Sequence, residues 1–275
     1  MSAETRRWLT GGALVVAVVA AALASTSWSE ATQTDLAGRL AGPHAGHWLG
    51  QDGLGRDVLA RVVVGARVSF AVAAAVVAIS LLAGVAIGTI AALAGGWTDL
   101  VIVRTIDVVL AFPGLLLAIA LAAVWGPGVG NVVLALSALG WTGYARLARS
   151  EVARLRHATF VEAAEALGAT PLRLALRHVL PLALPALLVQ ATFGVSGAIV
   201  AEASLSFLGL GVPPPTPSWG AMLDEGRQFL LVAPHLVLAP GAALAATVLA
   251  LQLLGDGLRD RLDVRSVERE RATVP

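Results

Sequence analysis

The stretch "FVEAAEALGATPLRLALRHVLP", Phe160 to Pro181, interrupts an otherwise apolar chain. It carries Glu162, Glu165, Arg173, Arg177 and His178, yet the 275-residue protein around it is 57% hydrophobic and only 13% charged. Soluble domains average about 25% charged residues. With a mean hydropathy of +0.80, so much apolar surface calls for lipid, and the composition predicts an all-α, multi-span membrane protein. Inside such a protein the stretch reads as two short helices. Thr159 with Glu162 forms a capping box, Gly168 takes the left-handed position after the first helix, and Thr170 caps a second helix that has Pro171 at its first position. Pro181 and Pro185 mark the entry to the next span.

Working outward, long windows free of charge predict six spans, each needing roughly 20 residues to cross the hydrocarbon. They are Leu9–Ala24, Val68–Trp97, two from Val101–Leu147 divided at "WGPGVGN" (Trp125–Asn131), Leu182–Ala201 and about Leu230–Leu254. Backbone groups in lipid must be satisfied internally, so these are helices. Every one of the 19 basic residues is Arg. With both termini inside, 14 fall on cytoplasmic segments and 5 outside, so the positive-inside rule orients the chain N-in, C-in and leaves Phe160–Pro181 cytoplasmic. Arg6-Arg7, the apolar run and Ala22–Ala24 also fit a cleaved signal peptide. The expected divisions are 1–66 (first helix and external loop), 67–263 (transmembrane domain) and 264–275 (cytoplasmic tail).

Two surfaces compete for the first short helix. Flanking arginines (Arg146, Arg149, Arg154, Arg156) suit a lipid interface. The two acids of "FVEAAEAL" would be repelled by anionic lipid, and its alanines leave a slim face for another protein. The residues alone leave both open.

Spacing then adds a resemblance. Glu162-Ala163-Ala164, three residues, Gly168, nine residues and His178-Val179-Leu180-Pro181 resembles the EAA loop of ABC importer permeases, with His178 in a slot that is usually Ile. Three further blocks resemble the second permease subunit of the dipeptide, oligopeptide and nickel family. They are "HWLGQDGLGRDVLARVVVGARVS" (His47–Ser69), "AEASLSFLGLGVPPPTPSWGAML" (Ala201–Leu223) and "LLGDGLRDRLD" (Leu253–Asp263). Gln252, Leu182 and Val264 depart from that pattern. The resemblance implies a type I ABC importer permease fold in a bacterial inner membrane. Phe160, Glu162, Ala163, Ala164, Gly168 and Pro181 would belong to a coupling helix seated in an ATPase subunit. The implied partners are a homologous permease subunit, two ATP-binding subunits and an extracytoplasmic solute-binding protein. Peptides are the implied solutes, with nickel as an alternative.

Other polar residues carry weaker readings. Asp107 is one turn from Arg104, which suits either a local ion pair or a contact that shifts with transporter state, and Pro113 is expected to kink the same helix. Glu202 either lines the path or holds down the "SFLGLG" turn. Asp52, Arg56 and Asp57 read as part of an amphipathic external helix, with Arg56 and Asp57 solvated, that suits an interfacial anchor; the family resemblance adds a candidate docking surface for an extracytoplasmic binding protein. His44 and His47 form an H-x-x-H pair without a third ligand, so no metal site is assigned. Gly84 and Gly88 permit close helix packing, either within the chain or at a permease–permease interface. Asp256, Arg259, Asp260 and Arg261 read as a capped, solvated helix end, and the family resemblance implies as the alternative a secondary contact with the ATPase. No phosphate loop of the G-x-x-x-x-G-K-[ST] type occurs, so the chain is not expected to hydrolyse ATP. There are no cysteines, no cofactor is expected, and a net charge of +1 gives no footprint for nucleic acid. A secondary transporter would need midplane acids and paired broken helices, whereas the acids here sit near span ends. A non-transport scaffold or insertase would use the central loop as a partner site.

Overall fold

From Val58 the chain runs as one helix of 37 residues to Ala94. The computed structural model describes residues 26–272; the predicted span at Leu9–Ala24 and its signal-peptide alternative lie outside them. The described elements are α1 (Trp28–Thr32), a 3-10 turn at Leu36–Gly38, α2 (Val58–Ala94), α3 (Gly96–Ala111), α4 (Gly114–Trp125), α5 (Val129–Leu155), α6 (Thr159–Ala166), α7 (Pro171–Leu174), a π turn (Ala175–Val179), α8 (Leu180–Phe207), α9 (Trp219–Arg227) and α10 (His235–Ala272). Pairing among the described residues is otherwise limited to two isolated bridges, so the all-helical expectation stands.

Among the described residues, three helices are long and apolar enough to cross a membrane: Val58–Ala94, Pro171–Phe207 and His235–Leu262. A fourth is obtained if α3 and α4, bent by 86° at Phe112–Pro113, count as one broken span. Pro113 was expected to kink a helix, and it does more. It has no N–H to donate and its ring crowds the preceding turn, so the helix stops and restarts. The turn expected at Trp125–Asn131 is present, with Asn131 donating to the carbonyls of Trp125 and Gly126. By length and composition α5 is not among the spans; it carries Asn131, Ser137, Thr142, Arg146 and Arg149.

The helix starts differ from expectation at α2. Of the segment read as a separate amphipathic surface helix, residues 58–67 are the first turns of the span helix and residues 50–57 form the loop before it, with Asp57 as the N-cap accepting from Ala60 N at 2.6 Å. The boundary expected at 66/67 therefore falls inside one continuous helix, and that at 263/264 falls inside α10. The continuity of α10 also removes the capped end expected at Asp256–Arg261.

The core lies where α2, α5, α8 and α9 meet, around Val72, Val76, Tyr144, Ile199, Leu205 and Trp219. Small residues let α2 and α5 come close. A Cβ at Gly84 would sit 2.5 Å from the Trp141 carbonyl oxygen, and one at Gly88 would sit 2.2 Å from that of Ala145. The G-x-x-x-G pair thus reports packing within the chain. Trp219 is buried and donates its indole N–H to Val62 O at 3.0 Å, fastening α9 to α2. Leu82, Val124 and Leu231 lie on the outside and are largely exposed, as expected for a surface solvated by lipid or covered by other helices.

Candidate functional site

The Phe160–Pro181 segment stands at the end of α2 that carries Ala92. Its first helix, α6, starts one residue earlier than expected. The end of α5 folds over in a turn (Arg156 N to Val152 O, Ala158 N to Leu155 O), which makes Ala158 the N-cap. Thr159 is then already helical and Glu162 lies beyond the third position, so the capping box does not form. Glu162 is exposed in the first turn, where a carboxylate meets the positive end of the helix dipole.

The other end of α6 agrees with the reading. Gly168 has φ of +85°, Gly168 N donates to Glu165 O at 2.9 Å and Ala169 N to Ala164 O at 3.0 Å. These two bonds are a Schellman motif. Thr170 accepts from Arg173 N, and Pro171 opens α7. The chain then widens into the π turn Ala175–Val179 before α8. Pro181 cannot donate to the Arg177 carbonyl and its ring crowds that group, which the wider turn relieves. His178 lies in this turn, half-buried, and nothing in the structure explains its replacement of Ile.

One face of α6 is anchored and the other is open. Val161 is buried in a cluster with Ala92, Val152, Leu155, Leu174 and Val179, and Ala164 packs against it. Arg156 adds a bond to Ala92 O at 3.4 Å. Phe160, Glu162, Ala163, Glu165 and Leu167 are exposed, Leu167 at 89%. Nearby, Arg149 grips Asp99 with two nitrogens, one at 2.6 Å from Oδ2, joining the start of α3 to α5. Asp107 reaches Arg146 at 3.1 Å, nearer than its expected partner Arg104 at 3.8 Å. The exposed Asp107 therefore bridges α3 and α5 instead of closing only a local pair.

At the opposite end of α2, about 55 Å away for a helix of this length, the other predicted charges are drawn inward. Arg56 is 7% exposed, against the expectation that it is solvated. It donates from Nε to Asp52 at 2.6 Å and from Nη2 to Glu225 at 2.8 Å. Arg61, 2% exposed, binds Asp52 and both Glu225 oxygens. Two acids thus neutralise two buried guanidinium groups across α2 and α9. Burial pushes the Asp52 carboxyl up, but the charges of Arg61 and Arg56 and the backbone N–H groups of Arg56 and Leu54 outweigh it and hold the carboxyl below its ordinary value. Asp57 is only partly exposed; besides capping α2 it meets His47 Nδ1 at 2.5 Å. His44 Nδ1 meets Gly42 O at 3.0 Å, and its ring packs edge-on to that of His47 with centroids 5.1 Å apart. The sequence reading missed Arg61 and Glu225 as partners, and no local pattern links residues so far apart.

Glu202 is fully buried at the α8–α2 contact. It accepts from Ser69 Oγ at 2.9 Å and Ser206 Oγ at 2.7 Å, and Ser206 in turn accepts from Val212 N at 3.3 Å. These bonds link α8 to α2 and to the turn that follows α8.

Residues 84–267 match the family described as the binding-protein-dependent transport system inner membrane component. The chain belongs to that family. It is 44% identical over 222 residues to the glutathione transport system permease protein GsiD of Pectobacterium atrosepticum, covering 81% of this chain and 74% of that one. It is 47% identical over 226 residues to the GsiD protein of Escherichia coli O157:H7, covering 81% and 73%. It is 43% identical over 250 residues to the dipeptide transport system permease protein DppC of Alkalihalophilus pseudofirmus, covering 91% and 81%. The protein is a permease subunit of an ABC importer. Such a subunit is not itself an enzyme, since ATP hydrolysis belongs to partner ATPase subunits.

Proposed function

We propose that this permease forms half of the path by which peptides enter a bacterial cell, and that α6 is where ATP-driven motion is delivered to it. In this reading the chain has six spans with both termini cytoplasmic and lies in the inner membrane. It pairs with a homologous permease, two ATPase subunits and an extracytoplasmic binding protein. The outward face of α6 carries the reading. A helix fixed on its inner side by Val161 and stopped at Gly168 presents Phe160, Glu162, Ala163 and Leu167 to a partner. The acids on that face disfavour an anionic lipid surface, and the Schellman and proline ends make it stiff enough to move as a unit. Pulling α6 moves α5 through Val152 and Leu155, and α8 through the Leu174–Val179 turn.

ATP can drive the change only by binding one conformation better than the other. The ATPase dimer closes on ATP, α6 follows, and the helices turn the path from one side of the membrane to the other. At the far end, the paired Asp52, Arg56, Arg61 and Glu225 stiffen the entrance that faces the binding protein. Asp107, bridging α3 to α5, is a candidate for a pairing that changes as the helices move.

Glu162→Lys tests the coupling. The variant is expected to insert normally but to lose transport and the ATPase stimulation caused by loaded binding protein. Unchanged transport with unchanged stimulation would refute the role of α6.

A further inference from the structure

One face of α8 is unlike the rest of that helix. Gln190, Gly194, Gly197, Ala201 and Ser204 recur at spacings of three and four, so they form a single stripe about 21 Å long. Two open cavities meet on it, sharing Gly197 and Ala201. One is about 300 Å³ and lies against α2, the Phe112 bend and α5. The other is about 350 Å³ and lies against Leu115 and α10. Small residues alone would indicate only close packing. What points to a ligand is the polar chemistry left unused in the first cavity. Ser80 and Tyr144 are 1% and 4% exposed, and neither hydroxyl has a hydrogen-bond partner among the described residues. The Tyr144 hydroxyl lies directly over the stripe, since a Cβ at Gly194 would be 2.1 Å from it. Gln190, an exposed residue, lines the same space.

An unpaired buried hydroxyl is costly, and it is normally retained with water or a ligand to satisfy it. None of the side chains lining either cavity is charged. A carboxylate or ammonium group would find no counter-charge there. Hydroxyls and a primary amide, each able to donate and accept, instead match the N–H and C=O of a peptide group.

We propose that this stripe and cavity form a solute subsite that takes the uncharged backbone amides of a peptide, with Tyr144, Ser80 and Gln190 as its hydrogen-bonding groups. The proposal rests on the peptide-import reading and assigns where inside the membrane the peptide is held. The charged ends of the solute must be neutralised elsewhere, on the partner permease or in water.

The chain has no cysteine, so Gln190→Cys places one thiol on the stripe. The full importer, reconstituted in vesicles with its partner subunits and binding protein, is the material for the test, and dialanine is the probe. A hydrophilic methanethiosulfonate is expected to modify Gln190→Cys severalfold faster than Leu82→Cys, and dialanine is expected to slow that modification severalfold. Tyr144→Phe removes only the hydroxyl. At saturating binding protein it is expected to lower dialanine transport about five- to tenfold, the worth of one hydrogen bond, while ATP hydrolysis stimulated by loaded binding protein stays within about twofold. Absent or unprotected labelling overturns the proposal, as does transport that is unchanged or that falls together with ATP hydrolysis. If the unaltered importer stimulates its ATPase but carries no dialanine, the peptide reading fails and this subsite with it. If it carries dialanine and the variants behave like it, only the subsite fails.

Discussion

Single side chains hold the far end of the molecule together through opposed charges that share one buried site. Arg61 has both acids as partners, so Arg61→Ala would leave Asp52 and Glu225, two partly buried carboxylates, to share the single guanidinium of Arg56. Removing one member of a buried pair costs about 3–5 kcal/mol, which would appear as a lower unfolding temperature of the detergent-solubilised importer. Arg227→Ala is the contrast, because its pair with Asp224 is exposed and such pairs contribute at most about 1 kcal/mol. Asp52 also sets a pH dependence. Its carboxyl is held below the ordinary value of 3.8, so its contribution is complete above that value and is lost as pH falls through the depressed one. Thermal stability limited by this cluster should therefore be insensitive to mild acid and fall only below about pH 4. Asp52→Asn should be less stable at neutral pH and show a flatter acid limb. Glu202 acts at the same scale in a neutral setting. Glu202→Gln keeps an acceptor for one serine hydroxyl and should be tolerated. Glu202→Leu strands the Ser69 and Ser206 hydroxyls and should cost about 1–3 kcal/mol in the same unfolding measurement.

At the scale of elements, what could be read from the sequence was whatever depends on near neighbours. The glycine stop at Gly168, the Thr170–Pro171 start and the turn at Trp125–Asn131 all follow from residues within a few positions of each other. The capping box failed because the end of α5 delivers the chain to α6 in a way that α6 itself does not encode. The external charges were misread for a related reason. Arg56 and Arg61 are buried only because Glu225 arrives on α9, and hydropathy along one segment carries no trace of that. Pro113 was visible as a kink, but its 86° consequence depends on what surrounds α3 and α4. The stiffness of α6 can be tested through Gly168. A Cβ there meets nothing within 4 Å, so substitution acts through backbone conformation alone. Left-handed backbone costs an ordinary L-residue roughly 1–2 kcal/mol, with Asn the best tolerated. Gly168→Val should therefore reduce solute moved per ATP hydrolysed more than Gly168→Asn, with both variants present at normal levels in the membrane. Equal coupling in the two would mean that the turn does not transmit force.

At the scale of the molecule, motion started at α6 has to cross about 55 Å along α2 to reach the Asp52–Glu225 cluster, and it can do so only if α2 and α5 move as one body. Glycine makes that contact possible. At Gly88 any side chain would press on the Ala145 carbonyl, and a backbone group cannot swing aside as a flexible side chain can. Gly88→Leu must push the two helices apart, and overpacking of this kind costs about 1–3 kcal/mol or more. The separation also opens the cluster around Val161, because Ala92 lies one turn further along α2. Both stability and coupling should therefore fall in Gly88→Leu. Gly130 provides the control. It lies in the first turn of α5 with nothing within 4 Å of an added Cβ, and Ala is the better helix former by up to about 1 kcal/mol. Gly130→Ala should leave coupling intact and hold or slightly raise the unfolding temperature. If Gly88→Leu lowers the unfolding temperature yet couples ATP to transport as well as the unaltered importer, force reaches the far end by a route other than the α2–α5 pair.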